Sequence, residues 1–466
     1  MNAPASPSRP LPNGPLVAFY GDDFTGSSAS MEALAFAGLQ SVLFLGPPPP
    51  DRLAAFAGYR GIGIAGVARA RDPDWMEANL PPVFDLLAGL GAPVVHYKVC
   101  STFDSAPHIG SIGRAIDIAA RTFDGFVPLV VGEPGMGRFQ AFGHLFANAQ
   151  EKGRARGYRL DRHPTMARHP VTPMDEADLA VHLARQTARK IGLVDFVAMK
   201  RGEADARLST ELAEGAQVVL IDVLDAETLA EAGRLVWEKG AHPIFTVGSQ
   251  GLETALVTHW RAAGLLPEAS PPAGPKPAPR IAVVSGSVSP VTASQIAFAA
   301  EHGFAPIRLD AARAVDEAAF DAAVADAAAS ALAALSEGRD PLVYTAAGPQ
   351  DAAVAALREA VAASGSATEA VNDRIGAGLG RVLDTVVREA RLGRAVISGG
   401  DTSGQAAAAL GIDALTALAP LSPGSPLCRA HQAGAGAGRD GLEIALKGGQ
   451  VGTADFFVRA RDGVAA

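Results

Sequence analysis

Leu16-Val17-Ala18-Phe19-Tyr20-Gly21-Asp22-Asp23-Phe24-Thr25-Gly26-Ser27-Ser28 is the stretch on which the reading of this chain turns. The run Leu16 to Tyr20 has no polar side to show, as expected of a strand covered on both faces of a sheet. Two aspartates, a glycine and several hydroxyls follow it, and a helix is expected over Ser28 to Ala37. In an open parallel sheet, ligands bind beyond the carboxyl ends of the strands, so residues directly after a strand carry the chemistry. Paired carboxylates in that position can serve as a general base and as acceptors for sugar hydroxyls. Asp and Ser are also ordinary helix caps, and on its own the motif leaves both readings open.

The pattern repeats outward from this point. Ser41 to Leu45, Val94 to Tyr97, Val127 to Val131, Val218 to Ile221 and Ile244 to Val247 read as further buried strands separated by helical stretches, an alternation that predicts parallel α/β sheets. Between Leu265 and Arg280, closely spaced prolines deny both a helix and a central strand. The alternation then restarts with Ile281 to Val284, Ala305 to Leu309, Leu342 to Thr345 and Ala395 to Ile397. The expected organisation is a disordered tail over 1–14, an N-terminal domain over 15–264, a linker over 265–280 and a C-terminal domain over 281–466. The fold class is α/β: two domains, each a mostly parallel sheet flanked by helices, with the active site in the inter-domain cleft.

Composition excludes several classes. The 466 residues are 48 % hydrophobic and 19 % charged, which fits a large buried core rather than disorder. A net charge of -9 argues against a nucleic-acid partner, because phosphate-backbone binding needs a basic face. The Ala-rich run Glu317 to Leu335 is broken by Asp321 and Asp326 and carries Phe320, Val324, Leu332 and Leu335 at helical spacing, so it reads as an amphipathic helix and not a membrane span. With only Cys100 and Cys428, no signal peptide and no metal-ligand spacing, a cytoplasmic location is expected, and no protein-held metal.

Further strand ends carry candidate ligands. Lys98-Val99-Cys100-Ser101-Thr102-Phe103-Asp104-Ser105, followed by Gly110-Ser111-Ile112-Gly113-Arg114, offers Lys98, Ser101, Thr102 and a helix start to a carboxylate. A capped strand-to-helix turn would use the same residues. Arg138 and His144, within an unusual cluster of Arg, His and Pro running to Pro173, are candidate cationic donors to an acid; single histidines are more often structural. In the C-terminal half, Ser285-Gly286-Ser287-Val288-Ser289-Pro290, Ser398-Gly399-Gly400-Asp401-Thr402-Ser403-Gly404, Pro423-Gly424-Ser425-Pro426 and Lys447-Gly448-Gly449-Gln450-Val451-Gly452 let backbone N–H groups approach phosphate. Each is weak alone; four together favour a nucleotide site.

In their order and placement these motifs resemble the four-carbon acid sugar kinase family, nearly end to end from Gly21 to about Phe457. The resemblance implies that the N-terminal domain binds an acid sugar and the C-terminal domain binds ATP, with Mg2+ arriving on the nucleotide. It gives Asp23 the role of base or substrate-orienting carboxylate, with Asp22, Lys98, Ser101 and Thr102 near the substrate. Ser287, Gly399, Gly400, Asp401, Thr402 and Gly449 become nucleotide contacts. One branch of the family has Asp-Ser-Thr-Leu-Arg-Gly where this chain has Cys100 to Ser105, so that branch's Arg is absent here. The Lys98 to Ser105 form looks like the branch acting on 3-oxo acids, 3-oxo-tetronate and 3-oxo-isoapionate kinases, and Tyr158 to Pro173 looks closer to the latter. The expected partners are therefore a small acid sugar and ATP, with a homodimer left open. A non-catalytic sugar-acid or nucleotide sensor with the same architecture is the competing reading. A dehydrogenase is disfavoured by the lack of Gly-x-Gly-x-x-Gly in the first strand-helix unit.

Overall fold

The structure is a computed structural model that describes residues 9–151, 154–169, 171–433 and 440–464. Residues 1–8 of the expected tail, and Pro170 of the Arg-His-Pro cluster, lie outside the described residues. The tail was expected to run to Gly14, but the chain is already anchored at Arg9: its carbonyl accepts a hydrogen bond from Trp237 Nε1 at 2.9 Å, and its guanidinium lies 5.9 Å from the centre of the Trp237 ring.

The chain divides into two compact units. Unit 1 comprises the residues up to Ser41 together with Phe56–Ser270, and unit 2 comprises Val42–Ala55 together with the chain from Pro271 onward. The strands, in chain order, are β1 (Val17–Gly21), β2 (Ser41–Phe44), β3 (Gly61–Ala65), β4 (Val94–Lys98), β5 (Val127–Val130), β6 (Arg138–Ala141), β7 (His144–Glu151), β8 (Arg154–Arg159), β9 (Ile191–Val194), β10 (Val218–Ile221), β11 (Ile244–Gly248), β12 (Ala282–Ser285), β13 (Phe304–Arg308), β14 (Asp340–Tyr344), β15 (Arg394–Ser398), β16 (Ala414–Ser422), β17 (Ser425–His431) and β18 (Glu443–Lys447).

In unit 1 the strands run β3-β1-β4-β11-β5-β10-β9, every pair parallel. Parallel order brings the ends of β1, β3, β4 and β11 together, since Gly21 pairs with both Ala65 and Lys98, and Lys98 with Gly248. One face is filled by aromatic packing of Tyr20, Phe84, Tyr97, Phe123 and Phe245. β3, Gly-Ile-Gly-Ile-Ala, was not anticipated, because glycine weakens a strand. Here its glycines are places of close approach: a Cβ on Gly63 would lie 2.1 Å from the Phe19 ring, and one on Gly66, just beyond, 1.9 Å from the Tyr20 hydroxyl. β6, β7 and β8 form a separate antiparallel sheet, in the segment read from sequence only as an Arg-His-Pro cluster.

Unit 2 has the order β13-β14-β12-β15-β18-β17-β16-β2. Its β13, β14, β12, β15 and β18 are parallel, and β17, β16 and β2 continue the sheet antiparallel. Val42–Ala55, placed above within a domain spanning 15–264, groups with unit 2 because β2 pairs with β16 and Arg52 holds Asp413 through two hydrogen bonds of 2.5 and 2.8 Å. The helix Glu317–Ser336 is long and apolar enough to cross a membrane by length and composition. It buries Phe320, Val324 and an alanine stripe through Ala327, Ala331 and Ala334, while Leu332 and Leu335, expected on that stripe, are only half-buried. Gly378 on the helix Thr368–Glu389 admits the Phe320 ring, which a Cβ there would meet at 2.5 Å.

Candidate functional site

The helix after β1 starts at Phe24, four residues earlier than expected, so Thr25, Gly26 and Ser27 form its first turn. Asp23 is its N-cap: Oδ1 accepts from Gly26 N at 2.8 Å and Oδ2 from Thr25 Oγ1 at 3.0 Å. Capping does not exhaust its role. Arg69, in the short turn after β3, donates from NH1 to Asp23 Oδ2 at 2.7 Å, from NH2 to Asp22 Oδ1 at 2.6 Å and from Nε to Asp22 Oδ2 at 3.2 Å. One guanidinium thus bridges both carboxylates. The Lys98 ammonium lies beside them, where a Cβ on Gly26 would come within 2.1 Å of Nζ. A side chain at 26 would have to displace the Lys98 ammonium and the Asp23 carboxylate.

The two carboxyls are held in opposite protonation tendencies. Burial pushes Asp22 up to about 6, with Arg69 and Lys98 opposing and the Asp23 charge adding to the rise. At Asp23 burial acts in the same upward direction, but Arg69, Lys98 and the hydrogen bonds from Thr25 and Gly26 together outweigh it and hold its carboxyl below the usual range. Asp23 is therefore a firmly ionised acceptor, and Asp22 titrates near neutrality.

The loop after β4 brings Ser101 and Thr102 in as buried hydroxyls. Thr102 Oγ1 donates to Asp104 Oδ1 at 2.8 Å and is 3.0 Å from Cys100 Sγ. Phe103, at φ 58°, holds the loop in the left-handed region, a conformation costly for a bulky residue and characteristic of functional turns. Arg69 and Arg138 both feel the charge of Asp104, so Arg138, at the start of β6, lies near this loop. Arg138 is opposite Glu133 in a two-residue bridge; its Nε and Glu133 Oε2 are buried without hydrogen-bond partners among the described residues. Burial lowers the Arg138 guanidinium and raises the Glu133 carboxyl.

Other candidates separate from this cluster. His144 Nδ1 lies 2.9 Å from the Phe142 carbonyl, and the Phe142-Gly143 turn is held by Asp222, which accepts from Phe142 N at 2.5 Å and Gly143 N at 2.9 Å. That ties His144 to a hairpin beyond β10, and no contact links it to Asp22 or Asp23. The helix start at Gly110 to Arg114 is a capped turn: Ser111 Oγ accepts from Arg114 N at 3.2 Å and the N–H of Gly113 is spent on Gln186 at 3.2 Å. His163 and His169 use Nδ1 to accept backbone N–H groups of Thr165, Met166 and Thr172.

In unit 2 the turns after β12, β15 and β18 converge. A Cβ on Gly286 would lie 2.2 Å from Thr402 Oγ1, one on Gly399 2.9 Å from the same atom, and one on Gly449 2.8 Å from Ser287 Oγ. Thr292 Oγ1 donates to Ser287 Oγ at 3.0 Å and is 3.1 Å from the Gly449 carbonyl. Gly399, at φ 127°, opens the helix Gly400–Ala409 without any side-chain cap, leaving its N-terminal dipole available. A Cβ on Gly400 would meet nothing within 4 Å. The Ser398 hydroxyl is buried with no partner among the described residues. This glycine-lined cradle of hydroxyls fits a polyphosphate, which would supply the transferable group; the side chain of Asp401 lies outside the described residues. Pro423-Gly424, read above as a fourth such turn, is the tip of the β16-β17 hairpin, and Ser425 Oγ donates to the Leu446 carbonyl at 2.7 Å. Among the described residues no group of three or more His, Cys, Asp and Glu could hold a metal.

The sequence reading missed Arg69, and it named Lys447 only as the opening of the last glycine turn, behind which the side chain is buried. Arg69 carried a usable signal, being close behind a strand, but β3 itself was unrecognised.

A carboxylate pair for hydroxyls on one α/β unit and a phosphate cradle on the other define a phosphotransferase acting on a small polar acceptor. The chain matches the sugar-binding N-terminal domain over residues 17–256 and the nucleotide-binding C-terminal domain over residues 282–457. It is 50 % identical over 453 residues to a 3-oxo-isoapionate kinase of Paraburkholderia graminis, covering 97 % of this chain and 95 % of that one. With a 3-oxo-tetronate kinase of Methylobacterium radiotolerans it shares 33 % identity over 449 residues, covering 95 % of this chain and 97 % of the relative. A crystal structure from Salmonella typhimurium LT2 superposes with a TM-score of 0.72 at 25 % identity, over 96 % of this chain and 98 % of that one. The chain belongs to the four-carbon acid sugar kinase family.

Proposed function

We propose that this protein transfers the γ-phosphoryl group of ATP to a hydroxyl of 3-oxo-isoapionate, with 3-oxo-tetronate as the poorer acceptor. The observation that carries the reading is the Asp22-Asp23 pair bridged by Arg69 beside Lys98 at the end of β1. Asp23 orients the attacking hydroxyl and accepts its proton late. A carboxylate held below its usual range is a poor base but a firm acceptor, which suits a loose transition state in which positioning dominates. Asp22, Lys98, Ser101, Thr102 and Arg138 hold the acid's hydroxyls and carboxylate, and His144 is left out of the assignment. Ser287, Gly399, Gly400, Asp401, Thr402 and Gly449 hold the nucleotide, so residues 15–264 carry the sugar site and 281–466 the ATP site. Mg2+ bound with the nucleotide would supply charge neutralisation at the transferring group, while the chain's own residues position the two substrates. The preference for the isoapionate skeleton follows the more similar of the two relatives. The reduced state of Cys100 and Cys428 suits the cytoplasm.

The test is ADP release and recovery of the phosphorylated acid, with ATP, magnesium and a panel of tetronates, 3-oxo-tetronates and branched 3-oxo acids. The branched 3-oxo acid should give the highest kcat/KM, and excess chelator should abolish turnover. Binding of both ligands without turnover on any acid would leave a sensor and defeat the kinase reading.

A further inference from the structure

Lys447 closes β18 and is buried completely. Its three N–H donors have three acceptors around them: the Gly448 carbonyl at 2.8 Å, Thr292 Oγ1 at 3.3 Å and the Val451 carbonyl at 3.4 Å. Two of these belong to the glycine turn and the third to the helix Pro290–Glu301. Thr292 in turn touches Ser287 Oγ and the Gly449 carbonyl. The ammonium thus fastens the back of the turn, drawing carbonyls inward. A trans peptide whose carbonyl points in presents its N–H the other way.

What this ammonium lacks, among the described residues, is a countercharge. The helix Pro290–Glu301 presents Thr292 and Gln295 to it, and Gln295 shares the Val451 carbonyl, donating at 3.0 Å. The helix Phe456–Asp462 presents the Phe456 ring, centred 5.9 Å from Nζ. Asp455 and Arg459 of that region both engage Thr453. On β15 the residue in register with Lys447 is Ser398, and the ion pair of these strands, Arg394 with Glu443, lies at their opposite ends. A buried charge with only dipoles about it is incomplete, and a polyphosphate on the turn would complete it.

We propose that Lys447 is a positioning residue for the phosphate-binding turn and takes up a proton when nucleotide binds. The inference rests on the nucleotide reading above. Burial alone pushes the free lysine down to about 7, so near neutrality part of the population holds it uncharged. A bound anion favours the charged form, and by linkage binding then draws a proton from solution. Affinity falls as pH rises through 7, and is flat below about 6, where the lysine is already charged.

The experiment is calorimetric titration of the full chain with magnesium-bound ADP at pH 7, in two buffers of different ionisation enthalpy. Uptake of a measurable fraction of a proton per nucleotide is expected in the wild type, shrinking as the pH is lowered below about 6. Lys447→Met keeps the length and apolar stem, and should bind about 10- to 100-fold more weakly with no lysine-linked uptake. If that variant fails to fold, the wild-type pH series decides: ADP affinity independent of pH between 6 and 8.5 overturns the proposal. Binding of ADP without proton exchange in the wild type, or undiminished uptake in folded Lys447→Met, overturns it while sparing the nucleotide reading. No ADP binding by the wild type overturns both.

Discussion

Replacing Arg69 with Met isolates the bridge across the two aspartates. The guanidinium makes three charge-assisted hydrogen bonds of 2.6, 2.7 and 3.2 Å to carboxylates, one of which, Asp22, is 1 % exposed. Removing one partner of a buried ionic cluster typically costs about 3–5 kcal/mol. The lower end applies, because the Arg69 side chain keeps 22 % of its surface exposed and Lys98 remains beside Asp23. The pH dependence follows from Asp22. Its folded value of about 6 lies above the unfolded value, so its contribution to stability is fullest below the unfolded value and is lost as pH rises through 6. Without Arg69 that upper limit moves higher still, since the arginine lowers it. The stability deficit of Arg69→Met against wild type should therefore be largest at pH 8 and shrink toward pH 5, where Asp22 is neutral in both. Turnover should fall at least about 100-fold at pH 7, since Asp22 shifts toward its neutral form and both carboxylates lose the group that orients them. Thermal unfolding at pH 5 and 8, with steady-state kinetics on the 3-oxo acid, checks both parts. A deficit independent of pH with kcat within about threefold of wild type would refute the bridge as a functional element.

Asp23→Asn keeps the cap to Gly26 but surrenders the charge facing Arg69; turnover should fall by about two to four orders of magnitude with ADP affinity unchanged, and near-wild-type kcat in a folded variant would leave Asp23 as a cap only. Gly400→Val should leave the melting temperature within a few degrees, since its Cβ meets nothing, yet weaken ATP at least about tenfold by occupying the approach to the helix N-terminus; calorimetry finding unimpaired ATP binding would move the phosphates elsewhere.

What the sequence disclosed and what it hid have physical causes. Asp22 and Asp23 were legible because an unbroken apolar strand precedes them, and Ser287, Gly399 and Thr402 for the same reason. Arg69 was hidden because β3 alternates glycine with isoleucine, and the reason for those glycines is a tertiary one: the Phe19 ring and the Tyr20 hydroxyl occupy the space. Pro423-Gly424 was misjudged because a glycine turn between two antiparallel strands and one between a strand and a helix share a composition. His144 fell away because its partners, Phe142 and Asp222, are brought together only by the hairpin and β10.

The allegiance of β2 to unit 2 bears on how the molecule is made. During synthesis this strand leaves the ribosome early, long before its partner β16 exists. Unit 2 cannot finish its sheet until nearly the whole chain has emerged, and such distant pairing is slow to form. Meanwhile Arg52 waits for Asp413 and the edge of the strand that β16 will cover lacks its partner. A fragment cut at the proline-rich segment would leave β16 as a bare edge, the kind of surface on which sheets of different molecules join. A nascent chain is thus exposed to aggregation at β2 and a C-terminal fragment at β16, and a chaperone that shields Val42 to Phe44 would protect the nascent chain.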